Sequence, residues 1–82
     1  MSKEDMIPSL PADAPKAGEI YKHYKGDSYR VVDVALHSDE TWNVIYEPLY
    51  EGAVSKFFTR PLREWREVVE WQGQKVERFT KV

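Results

Sequence analysis

Tyr21-Lys22-His23-Tyr24-Lys25-Gly26-Asp27-Ser28-Tyr29-Arg30-Val31-Val32-Asp33-Val34-Ala35-Leu36-His37-Ser38 is the stretch that decides the fold. Glu19 to Tyr24 alternates Ile20, Lys22 and Tyr24 against Tyr21 and His23, the period of a half-buried strand. Lys25-Gly26-Asp27 supplies a turn, because Gly26 accepts a positive φ without a Cβ penalty. Tyr29 to His37 is rich in β-branched residues and reads as a long second strand. Arg30, Val32, Val34 and Leu36 alternate on one face of it. That set is the more apolar over its middle, so it is expected to face the core. Counting back from the turn sets His23 near Arg30 and leaves His37 well beyond the first strand. The two imidazoles are therefore expected apart.

Working outward, His37-Ser38-Asp39-Glu40-Thr41 is a polar loop in which Ser38 and Asp39 can hydrogen-bond nearby amides. Trp42 to Tyr50 reads as a third strand, Trp42, Val44 and Tyr46 alternating with Asn43, Ile45 and Glu47. Pro48 marks an edge or a bend. Glu51-Gly52-Ala53 is the next turn, and a fourth strand is expected over Val54 to Thr59. Pro61 opens one helical turn near 61–66, with Leu62 and Trp65 three apart on one side. Val68 to Trp71 returns to strand composition, Gln72-Gly73 is a hairpin turn, and Lys75 to Val82 is the returning strand. Val76 and Phe79 do not share parity, which points to a bulge or an early end.

Five or six short antiparallel strands at intervals of about ten residues, with one helical turn, predict an all-β fold, a small SH3-like barrel. Residues 17–82 form that single domain. Residues 1–16, with Pro8, Pro11 and Pro15 and no apolar period, are expected as a flexible tail. Within it, Pro8-Ser9-Leu10-Pro11 has polyproline-II spacing, and Ile7 or Leu10 is a candidate anchor.

The chain has 82 residues, a net charge of −2 and eleven aromatic residues (five Tyr, three Trp, three Phe). A chain of this size buries only about 60% of its unfolded surface, so bulky rings matter to its core. It contains no cysteine, which excludes disulfides, thiolate metal sites and cysteine nucleophiles. No apolar run reaches the roughly 20 residues of a membrane span, and a cytoplasmic protein is expected. The charge balance offers no global attraction to nucleic acid.

Chemistry-bearing residues are sparse. His23 and His37 are too far apart for a shared metal ion and lack an evident third ligand. His37, Ser38 and Glu40 are the residue types of a hydrolytic triad, yet neighbours on a strand point to opposite sides. No nucleophile elbow or Gly-rich phosphate loop occurs. Arg60, held just before Pro61, is a forked donor suited to a carboxylate or phosphate, or to an internal partner such as Glu40, Glu47 or Glu64.

Gly18, Tyr21, His23-Tyr24-Lys25-Gly26, Tyr29, Ala35, His37-Ser38, Thr41, Val44-Ile45-Tyr46, Leu49-Tyr50 and Arg60-Pro61 together resemble the bacterial family known as domain of unknown function 1653. The resemblance runs from about Gly18 to Phe79. It implies an SH3-like barrel of bacterial origin without an assigned activity. Phe58 stands where that family commonly has tryptophan, and Trp65 where it has phenylalanine.

The expected function is a non-enzymatic binding module whose candidate ligand residues are His23, Lys25, Tyr29, His37, Glu40 and Arg60. These are polar or aromatic residues at strand ends, where packing does not demand them. A protein or peptide partner or a small anionic ligand is expected, with the chain a monomer or homodimer. No catalytic residue, cofactor, metal or membrane is assigned. A hydrolase-like or metal-dependent site at His37 and Glu40 is the alternative, and weak single-stranded nucleic-acid binding the second.

Overall fold

The computed structural model describes residues 9–82. Its elements in chain order are β1 (Ile20–His23), β2 (Ser28–Leu36), β3 (Trp42–Pro48), β4 (Phe58–Pro61), α1 (Leu62–Trp65), β5 (Val68–Trp71), β6 (Gln74–Glu77) and β7 (Phe79–Lys81). Five strands form one antiparallel sheet in the order β4-β3-β2-β1-β7, while β5 and β6 pair as a separate hairpin. The all-β architecture and the helical turn are as expected. The strands of the described residues number seven rather than five or six, and their ladders do not close into a barrel, leaving β4 and β7 as edges. The expected last strand is in fact two. Gln74–Glu77 pairs with β5, and after Arg78 the chain crosses so that Phe79 lies opposite His23. This crossing is the parity break between Val76 and Phe79.

The first hairpin is tighter than its sequence suggests. The His23 N–H donates to the Asp27 carbonyl at 2.7 Å, and the Gly26 N–H to the His23 carbonyl at 2.8 Å. His23 therefore lies beside the turn, opposite Asp27 rather than near Arg30.

The buried face of β2 also differs from the expectation. Val31 is 1% exposed and Val32 37% exposed. Val31 pairs with Tyr46 and Asp33 with Ile45, so Val32 is an extra residue without a cross-strand partner. This bulge shifts the alternation by one. Tyr29 and Val31 share the core face before it, and Val34 shares it after, opposite Val44. Strict alternation cannot anticipate this, because the insertion is defined only against β3. Val31→Ala should cost about 2 kcal/mol, two buried methyl groups plus part of a cavity. Val32→Ala should stay within about 0.5 kcal/mol. Urea unfolding of the two variants checks this, and equal costs would contradict the bulge.

β4 begins at Phe58 rather than Val54. Val54 is 95% exposed, and the Ser55 hydroxyl donates to the Phe57 carbonyl at 2.7 Å, a local bond that competes with a ladder. The shift draws Arg60 and Pro61 into the sheet, opposite Val44 and Asn43. Pro48 ends β3 after β4 has stopped pairing at Tyr46. Pro61 leads into α1, whose Leu62 and Trp65 are buried as the spacing predicts. Gln72 and Gly73 both take positive φ, the twist of a type I′ hairpin turn.

The core gathers Ala14, Val31, Val44, Tyr46, Leu62, Trp65 and Phe79. Trp65 stacks on Phe79 at 3.8 Å between ring centres and meets Tyr46 and Tyr21 edge-on at 4.9 and 5.2 Å. Ala14 falls within the stretch expected as tail, yet it is 5% exposed. Its N–H donates to the Pro11 carbonyl, and neighbouring Asp13 pairs with Arg66. Leu10 is exposed, and Ile7 and Pro8 lie outside the described residues. Glu19 stitches this segment to the sheet. Its carboxylate accepts from the Lys16 N–H at 2.8 Å and pairs with Lys81 at 2.9 Å, which holds its pKa down at about 2.

Candidate functional site

Phe79 is the floor on which three of the six candidate residues meet. β1 places His23 directly opposite it, with ring centres 5.1 Å apart. Tyr29, on the core face of β2, meets it edge-on at 6.0 Å. Arg60, on β4 opposite the buried Val44, extends its guanidinium to 5.7 Å from the ring centre, a cation over an aromatic face. The Arg60 Nε donates to the Tyr46 hydroxyl at 3.4 Å, and Glu64 lies 3.6 Å from its other end. Of the internal partners open to Arg60, the structure selects Glu64, since Glu47 pairs with Arg30 at 2.9 Å. Glu64 holds the guanidinium loosely, at a length beyond a normal hydrogen bond.

Most of the charges that act on His23 are positive. Partial burial lowers the pKa of His23 below 6.5, and the charges of Arg60, Arg78 and Lys25 lower it further, with Asp27 opposing them. The Lys25 N–H donates to His23 Nδ1 at 3.1 Å, which also favours the neutral ring. Lys25 Nζ sits 5.8 Å from the centre of the Tyr24 ring. Tyr29 and Tyr50 share a hydroxyl hydrogen bond of 3.2 Å. Burial first, and that bond second, raise the pKa of Tyr29 above the ordinary phenol range. The patch thus offers neutral donors and fixed cations.

His37 and Glu40 are not part of it. They lie in the loop past the far end of β2, a strand of nine residues and about 30 Å. His37 Nδ1 lies 3.0 Å from an Asp39 carboxylate oxygen, both groups being largely exposed. Glu40 contributes backbone instead, donating its N–H to the His37 carbonyl at 2.8 Å from a φ of +67°. Among the described residues no hydrogen bond or ion pair links the side chains of His37 and Glu40, and no three His, Asp or Glu side chains gather as metal ligands. No helix among them is long and apolar enough to cross a membrane.

The sequence profile of a family described as protein of unknown function (DUF1653) matches residues 19–81. The chain belongs to the DUF1653 family. A crystal structure of a DUF1653 protein from Bordetella bronchiseptica superposes with a TM-score of 0.77 at 32% identity, covering 90% of this chain and 92% of that one. No curated protein matches. The matched span includes all six candidate residues of this DUF1653 protein.

Phe79, Tyr46 and Arg78 belong to the patch and were missed as site residues. Phe79 and Arg78 sit where the C-terminal strand changes partners. Arg78 Nε is buried without a hydrogen-bond partner although its side chain also reaches Glu67 at 3.4 Å. The one signal available for them was the parity conflict between Val76 and Phe79.

Proposed function

We propose that this DUF1653 protein is a non-enzymatic binding module that holds an anionic group of its ligand between His23 and Arg60. The observation that carries the reading is the meeting of Arg60 and His23 on one ring, Phe79, with Glu64 no closer to the guanidinium than 3.6 Å. An anion that accepts from the Arg60 fork over the Phe79 ring gives the guanidinium a closer partner than Glu64. The ligand class is a small anion or an acidic peptide segment.

The test is titration with pyrophosphate and with a hexaglutamate peptide, followed by NMR of the labelled protein. The His23 ring should titrate below pH 6.5 in the free protein, and its midpoint should rise when the anion is bound. By linkage, affinity should therefore increase as the pH falls through the imidazole range. Arg60→Ala should weaken binding at least about tenfold, the scale of one charge-assisted hydrogen bond, whereas Lys56→Ala should not. Equal affinity for Arg60→Ala and the unmodified protein would overturn the proposal.

A further inference from the structure

The segment Pro11-Ala12-Asp13-Ala14-Pro15 lies outside either sheet and meets the C-terminal end of α1 at Arg66. It docks by the burial of Ala14 and Pro15 and by an ion pair from Asp13 to Arg66. The Asp13 side chain is 82% exposed, so the pair is worth at most about 1 kcal/mol and exchanges readily. A cleft of about 310 Å³ remains beside this strap, lined by Asp13, Pro15, Tyr21, Trp65, Arg66 and Phe79 among others. Trp65 is 2% exposed, and its indole N–H is buried without an acceptor. An unmet donor of this kind costs about 1–3 kcal/mol, and the residue that carries it is one wall of the cleft.

We propose that the strap is an internal stand-in, and that its seat, together with the cleft beside it, takes an extended, acid-bearing peptide segment of a partner protein. The occupant follows from the chain's own example: a carboxylate for Arg66, a small residue for the Ala14 position and a proline beside Tyr21. Lifting Asp13 off Arg66 frees the guanidinium for the incoming carboxylate, and a backbone carbonyl of the peptide accepts from the Trp65 N–H. Glu77, also on the cleft wall, disfavours a second acid in the same segment. This site uses Arg66 and Trp65 and is independent of Arg60.

The probe is a peptide with the sequence of residues 9–16, added to the full-length labelled protein, with an Asp-to-Asn version of the peptide as control. Asp13→Ala should bind the acidic peptide about fivefold more tightly than the unmodified protein, because a competing surface ion pair is gone. The Trp65 indole N–H resonance should move downfield on binding, and Arg66→Ala should abolish both effects while keeping its spectrum dispersed. Equal affinity for the Asn peptide, or no gain in Asp13→Ala, overturns the proposal. Concentration-dependent dimerisation of Asp13→Ala without peptide also overturns it, by assigning the cleft to the strap of a second copy.

Discussion

Phe79→Ala is expected to leave the protein largely unfolded at room temperature. Phe79 is 5% exposed and lies face to face with Trp65, with rings of His23, Tyr29 and Tyr46 around it. Truncating a buried phenylalanine costs about 3–5 kcal/mol, close to the whole stability of a domain this small. Its strand compensates little, since β7 is three residues long and sits at an edge of the sheet. Near-ultraviolet circular dichroism should lose its aromatic signal, and the urea transition should disappear or move to very low denaturant. Phe79→Leu, which keeps most of the volume, should cost less than about 1.5 kcal/mol and remain folded. A folded Phe79→Ala protein within 1 kcal/mol of the original would show that the core is not built on this ring.

Tyr46 separates stability from binding. It is 5% exposed at the centre of β3, against Trp65, Phe58 and Phe79, while its hydroxyl accepts from Arg60. Tyr46→Ala should cost about 3–5 kcal/mol for the same reason as Phe79→Ala. Tyr46→Phe removes only a long hydrogen bond, so stability should change by less than about 1 kcal/mol. The Arg60 guanidinium then loses the group that aims it, and affinity for hexaglutamate should fall about three- to tenfold. Denaturation and peptide titration of the same variant check both halves. An undiminished affinity in Tyr46→Phe would mean that Arg60 does not need this tether.

These two residues also mark what was legible in the sequence. The alternation that sets Trp42, Val44 and Tyr46 on one face of β3 is visible in the sequence, and the structure buries Val44 and Tyr46 on that face. The burial of Phe79 is not visible in the same way, because its neighbours Val76 and Glu77 pair with one strand and Phe79 with another. Arg60 and His23 were nominated by residue type, since a forked donor before proline and an imidazole at a turn are visible as such. That they share a floor was invisible, because it depends on β1 pairing with β7 and on the far edge strand, β4, bringing Arg60 over the same ring. His37 and Glu40 were nominated by the same reasoning from type, and the structure places them in a loop held by local hydrogen bonds.

Composition and period by themselves determined the all-β class, the helical turn at Pro61, the Gln72-Gly73 hairpin and the alternation of β3. Each of these follows from interactions within a few residues, where backbone preference and alternation act directly. Tertiary structure alone decided the bulge at Val32, the crossing of β7 to β1, the open rather than closed sheet and the seating of Ala14 in the core. Each of these is a choice of partner between distant segments. Such a choice depends on the total burial and hydrogen bonding of the assembled sheet, which no single segment encodes.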